Sequence, residues 1–380
     1  MTDRHMTLTR WTDDLVWSAV ESVEPTDDGA GRARRWKSPV VESSFPATDL
    51  TPSWNALTPA GTWLEVEGRV ESDLGWTPWL VFARWTSVGQ HQDAPVVRTT
   101  VNDQRGEWGD VATDTLVAAD AHPFSRWQLR LTGLRTDAAA TDDDAWPEVS
   151  LVAASVAAAT AGSAAEATSV PGDATGLELA VPPLSQRLHV DTFPEWDNGG
   201  RSWCSPTSVT MLLRYWGLEP TTEETSWVGH DVDPDVVHAV RGVYDPAYRG
   251  AGNWAFNVAH VATRGLRAFV TRLRDLTEAE AFVAAGIPLV VSVSFEADQL
   301  DGAGYSTRGH LLTVTGFTAE GDVISNDPNS HRVPSNDEVR VVYRRDQFER
   351  VWLGRTGGLT YVIHPADHPL PPAPTSEPNW

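Results

Sequence analysis

The segment RSWCSPTSVTMLLRYWG, Arg201 to Gly217, holds the only cysteine in 380 residues. Its apolar residues Val209, Leu212, Leu213 and Trp216 recur at helical spacing and mark one buried stripe. Pro206 suits the first turn of that helix, where its missing N–H is no loss, and Gly217 suits its C-terminal stop. Cys204 therefore falls at the helix N-terminus, where unpaired N–H groups and the positive end of the dipole favour a thiolate. A single cysteine forms no intramolecular disulfide. That leaves a packing residue, an inert thiol or a nucleophile.

A thiolate nucleophile needs a base, and there are 11 histidines. His5, His364 and His368 lie near the chain ends, and His91, His122 and His189 sit in loop contexts. His230 and His238 fall in GHDVDPDVVHAV, whose Asp231, Asp233 and Asp235 imitate the start of a calcium loop. The sixth position is Val236 and the twelfth Gly242, so the EF-hand pattern fails, and a polar loop entering a short helix is expected. His310 differs: it heads the β-rich run GHLLTVTGF (Gly309–Phe317), which a turn near TAEGD joins to VISNDP (Val323–Pro328). In such a hairpin His310 lies close to Asn326 and Asp327. A carboxylate there would fix the imidazole tautomer, as in a catalytic triad; a His–Asp pair that merely caps the hairpin is the plainer alternative.

Working outward, the chain is long enough for two domains with their own cores. A net charge of −23 and a pI near 4.7 exclude nucleic acid or an anionic membrane as partner on electrostatic grounds. No apolar window is long enough to span a bilayer and no signal peptide is visible, so the location expected by default is cytoplasmic. Before about Ala154 the pattern is strand-like: Trp63–Val70, Trp79–Trp85, Val96–Val101, Asp114–Ala119, Trp127–Leu134 and the EVSLVAA run after Pro147 alternate with period two. Short strands at this spacing suggest an antiparallel all-β sandwich, jelly-roll-like in outline. Trp54, Trp63, Trp79, Trp85 and Trp127 are expected in its core, and Trp76 and Trp108 on loops as candidate platforms for a glycan. The expected domains are residues 1–154 (Trp-rich sandwich), 155–183 (flexible linker), 184–366 (mixed helix and strand) and 367–380 (a disordered Pro-rich tail). In the mixed region Asn253 is a helix cap, TEAE (Thr277–Glu280) a capping box before a helix stopping at Gly286, and Pro288–Phe295 and Leu359–Ile363 are strands.

Taken in order, WCSPTSVTMLLRYWG, GNWAFNVAH, AGIPLVVSVSF, GHLLTVTGF and NDP resemble the C39-like cysteine peptidase family of bacterial proteins, over about Leu184 to His364. The resemblance implies an α+β papain-like fold in which a Cys on a helix N-terminus faces a sheet carrying His and then Asp. By it Cys204 matches the nucleophile, His310 the general base and Asp327 the orienting acid. A peptide or protein substrate and an acyl-enzyme follow, with no metal or nucleotide cofactor. An acyl transferase would use the same triad, and a binding protein that keeps the fold without turnover is the alternative from another class. Two positions depart from the family pattern. Ser205 stands where Gly often follows the nucleophile, and the oxyanion-hole Gln has two candidates: Asn198, at the six-residue offset but an Asn, and Gln186, 18 residues upstream. A lost oxyanion donor costs about 10²–10³ in rate.

Overall fold

A computed structural model describes residues 4–12, 15, 18–19, 30–87, 97–136, 145–158, 168–196, 199–229 and 232–380. The N-terminal half is all-β. Its strands are β1 (Met6–Thr12), β2 (Ser18–Ala19), β3 (Ala30–Lys37), β4 (Val41–Ala47), β5 (Asp49–Leu57), β6 (Thr62–Ser72), β7 (Gly75–Trp76), β8 (Leu80–Trp85), β9 (Arg105–Gly106), β10 (Gly109–Ala112), β11 (Thr115–Ala118), β12 (Phe124–Thr136) and β13 (Glu148–Ala157). One antiparallel sheet runs β1-β13-β5-β11-β10-β9; the other runs β2-β3-β12-β6-β7, with β4 on β12 and β8 on β6. Period-two alternation turns Leu50, Trp54, Leu116 and Val152 of the first sheet and Leu64, Phe82, Trp127 and Leu129 of the second into one core.

Several expectations change here. Residues 97–101 form no named strand: Thr99 makes a single bridge to Arg84, because Thr100 and Arg98 turn toward the other half; Val96 lies outside the described residues. Trp79 is not in the core. It is half-buried beneath Arg69 and Arg130, at 4.6 and 4.3 Å from its ring centre. Arg69 and Arg126 also lie over Trp76, at 4.4 and 5.6 Å, so guanidinium groups occupy the ring faces that a sugar would need. Trp108 is half-buried against the core.

The C-terminal half is α+β: α1 (Cys204–Trp216), α2 (Thr222–Thr225), α3 (Pro234–Val243), α4 (Trp254–Ala262), β14 (Leu266–Arg272), α5 (Leu276–Ala284), β15 (Leu289–Phe295), β16 (Thr307–Phe317), β17 (Val323–Asn326), β18 (Arg340–Tyr343), α6 (Arg345–Thr356) and β19 (Leu359–Pro365). Its antiparallel sheet has the order β14-β19-β15-β16-β17-β18. Asn253 caps α4 by accepting from the Phe256 N–H at 3.0 Å. The cap of α5 falls two residues before the expected one: Asp275 accepts from the Glu278 N–H and Glu278 from the Arg274 N–H. Glu280 is unavailable for capping because it is buried against Arg345 at 2.7 Å.

β14 is an edge strand, and an uncovered edge leaves N–H and C=O groups unpaired. The N-terminal half covers it with side chains. Asn55 donates to the Ala268 carbonyl at 2.7 Å and accepts the Ala268 N–H at 3.0 Å, and Ser53 accepts the Val270 N–H at 3.1 Å. Trp54 and Trp85 pack on Phe256 of α4, and the buried Asp245 carboxylate accepts from Thr100 N and Oγ1. The two halves thus share one interior.

The stretch expected as a flexible linker is largely fastened. Ser155–Ala157 complete β13, residues 159–167 lie outside the described residues, and residues 168–183 dock on the α+β half. Val314 pairs with Leu289 at the start of β15, so β16 outruns its neighbour; Leu179 N–H bonds the Thr315 carbonyl along that free edge. Gly172 N–H bonds Glu280 at 2.7 Å. The Pro-rich tail, expected to be disordered, is tied down as well. Pro378 accepts from Leu8 N–H of β1, Asn379 bonds the Arg272 carbonyl, and Trp380 packs at a tilt against Phe282. Its aromatic and amide ends find partners that its composition does not reveal.

Candidate active site

The thiol is positioned by α1. Val209, Leu212 and Leu213 are fully buried and anchor the helix, Thr210 Oγ1 bonds back to the Pro206 carbonyl, and Gly217 closes it in the left-handed region at φ 68°. Ser208 donates to the Leu311 carbonyl at 3.2 Å and Thr313 to the Met211 sulfur at 3.2 Å. These bonds lay the start of α1 across β16, the strand that carries His310. No side chain caps the helix, since Trp203 occupies the cap position, so its first N–H groups are left for the thiol. Ser205 is buried, with its hydroxyl 3.1 Å from that of Tyr361.

His310 and Asp327 meet as the hairpin register requires. Asn326 pairs with Thr313, and just beyond it Asp327 Oδ1 lies 2.7 Å from His310 Nε2. Asn326 itself turns away and donates to the Val181 carbonyl. Asp327 is fully buried and accepts four bonds: from His310, from the Asn329 N–H at 2.9 Å, and from the Tyr305 and Tyr343 hydroxyls at 2.7 Å each. Burial works against its charge, but His310 and the two hydroxyls outweigh it and hold its pKa below the usual carboxylate range. Burial and the Asp327 charge keep both tyrosines protonated, with pKa values well above 10.

Burial would make His310 less basic, yet the Asp327 and Cys204 charges overcome it and raise its pKa to about 10. For Cys204, burial pushes the thiol up; the His310 charge and hydrogen bond, followed by the Leu311 and Ser205 N–H groups, bring it below its ordinary value. The geometry and the balance of charge therefore suit a thiolate–imidazolium pair oriented by a buried carboxylate.

Gln186 reaches the same cavity through a 3-10 turn, Gln186–His189. Its Nε2 donates to the Gly200 and Arg201 carbonyls at 2.8 and 3.1 Å, and its Oε1 is buried without a partner among the described residues. The close approach demands glycine at 200, where a Cβ would stand 1.8 Å from the Gln186 carbonyl oxygen. Asn198 lies outside the described residues. The cavity measures about 1010 Å³ and is walled by both halves, with Thr115 and Val117 of β11 opposite Cys204 and His310. Tyr305 and Tyr343 escaped the sequence reading because they come from a loop and a strand that only the folded sheet brings to Asp327.

The calcium-like segment resolves differently. Asp233 and Asp235 form ion pairs with Arg214 at 2.9 and 2.7 Å, while His230 and Asp231 lie outside the described residues. Among the described residues no three His, Cys, Asp or Glu side chains gather as a metal site, and no helix is long and apolar enough to cross a membrane.

Taken together, an all-β half and an α+β half make a two-domain protein, and the α+β half brings Cys204, His310 and Asp327 together. Comparison with protein families agrees: residues 178–359 belong to the Peptidase C39-like family, and residues 5–157 match the Peptidase C39 N-terminal domain. Among solved structures, a double glycine motif protease from an AMS/PCAT transporter, in complex with the leader peptide, is 15% identical; the match covers 52% of this chain and all of that one, at a TM-score of 0.28. A protein of Bacillus anthracis described as a C39-like peptidase is 19% identical over 49% of this chain and 96% of that one, at a TM-score of 0.29. At such scores neither likeness adds to the family assignment. No curated protein matches the chain.

Proposed function

We propose that the chain is a cysteine peptidase of papain-like fold acting through Cys204, His310 and Asp327. The observation that carries this reading is a thiol held below its ordinary pKa beside a histidine bonded at 2.7 Å to a fully buried aspartate, at the edge of an open cavity. The Cys204 thiolate attacks the carbonyl carbon of a peptide bond. The developing oxyanion is stabilised by N–H groups at the α1 terminus and by Gln186, one of whose carbonyl bonds must then yield. Protonated His310 gives its proton to the leaving amine, which departs as the thioester forms. Neutral His310 then takes a proton from water, the hydroxide attacks the thioester, and the carboxylic acid leaves with the thiolate restored. Asp327 holds the imidazole in one tautomer throughout. The two N-terminal sheets, read as a jelly-roll-like sandwich, form the facing wall of the cleft.

The pH dependence of iodoacetamide alkylation tests the pair, because all labelling reports the single cysteine. The apparent pKa is expected well below the free-thiol value of about 8.5, and higher in His310→Ala. A slow thiol indifferent to His310 would sink the triad. Transfer to an added amine in place of water would reassign the enzyme as an acyl transferase with the same residues.

A further inference from the structure

The protein is strongly acidic, yet its cleft is not. Among the described residues the cavity is lined by eight of the chain's 29 basic residues, all arginine, and one of its 52 acidic residues, Asp49. Asp49 is already paired with Arg272. Arg187 adjoins Gln186, Arg308 precedes His310 by two positions, and Arg332 follows Asn329 by three; all three line the cavity that Cys204 and His310 also line. Arg249 enters from the turn after Asp245, and Arg355 from the last turn of α6.

Among the described residues no carboxylate bonds Arg187, Arg249, Arg308, Arg332 or Arg355, whereas Arg201 is neutralised by Asp191 at 2.9 Å. The Arg187 Nε is buried with no hydrogen-bond partner among the described residues. Burial and the nearby Arg201 and Arg332 charges lower the Arg187 pKa and outweigh the opposing Asp191 charge. A cleft with low-dielectric walls focuses such a field, and it attracts anions that the rest of the surface repels.

We propose that the cleft takes an acidic peptide, whose Asp or Glu side chains on either side of the bond at Cys204 are read by Arg187, Arg249, Arg308, Arg332 and Arg355. Guanidinium groups suit this role because their planar fork matches a carboxylate with two parallel bonds. The cleavage part rests on the peptidase reading; the binding part does not.

The test is fluorescence anisotropy of the full chain carrying Cys204→Ala, titrated into labelled peptides of equal length that are Glu-rich, neutral or Lys-rich. The Glu-rich peptide is expected to bind on the order of ten-fold more tightly than the neutral one, with an advantage that fades as KCl is raised. Arg308→Glu with Arg332→Glu should abolish the preference; both side chains are exposed, and unchanged thermal melting would confirm that the variant folds. Equal binding of the neutral or Lys-rich peptide, binding of none, or a preference that survives charge reversal would overturn the inference. A Glu-rich peptide bound by Cys204→Ala but left uncut by the wild type would instead overturn the peptidase reading and leave the acidic ligand standing.

Discussion

The Asp327 carboxylate is held by two tyrosine hydroxyls that take no part in the chemistry, which isolates its contribution to stability. In Tyr343→Phe the ring stays and one 2.7 Å bond to a fully buried carboxylate is lost. A bond of that kind to a charged group is worth about 1.5–3 kcal/mol. The double variant with Tyr305→Phe strips Oδ2 of both hydroxyls, and its loss of about 3–6 kcal/mol approaches the whole stability of an ordinary domain. The single variants are therefore the informative ones. The pKa of Asp327 is depressed in the fold, so its stabilisation is present above the unfolded value of 3.8 and is lost as pH falls through the folded value. Weakening the charged form raises the folded pKa, and the variant should unfold in acid at a higher pH than the wild type. Urea unfolding at pH 7 with an unchanged slope, together with acid titration by circular dichroism, measures both effects. Tyr361→Phe is the control, because among the described residues its hydroxyl bonds the neutral Ser205 hydroxyl and not Asp327; it should lose stability without moving the acid midpoint. If Tyr343→Phe left that midpoint unmoved, the hydroxyls would not be holding a charge.

Two further outcomes follow from the contacts between the halves. Asn55→Ala leaves the Ala268 N–H and C=O unpaired in a buried seam and should cost about 2–4 kcal/mol in urea unfolding; a loss below about 0.5 kcal/mol would mean that the seam relaxes freely. Burial raises the pKa of Asp114 to about 7 despite its bond from Trp254 N–H, so its charge opposes the fold: stability is present below 3.8 and declines as pH rises through about 7. Asp114→Asn should remove that decline, and identical pH–stability curves for the two proteins would refute the assignment.

Much of this was legible where contacts are local. The stripe at Val209, Leu212 and Leu213 located α1, and the hairpin register brought Asp327 to His310, because both follow from periodicities of a few residues. What failed depends on distant partners. Thr100 leaves its expected strand for Asp245, Trp79 is claimed by arginines of neighbouring strands, and Glu280 abandons a capping role for Arg345. Strand β1 was not anticipated, although Met6 and Leu8 alternate with Thr7 and Thr9, because its partner strand β13 lies at the far end of the N-terminal half. At the candidate site, Cys204, His310 and Asp327 could be singled out from the sequence, whereas the two supporting tyrosines and the arginine lining arise only from the folded sheet.

The covered edge of β14 has a consequence for modularity. An isolated C-terminal half would expose the Ala268–Val270 backbone that Asn55 and Ser53 now satisfy. An open strand of that kind recruits other strands, so such a fragment would tend to self-associate rather than work alone. The N-terminal sheets thus act as the cover of the β14 edge, and gene shuffling that parted the two halves would be selected against by self-association first.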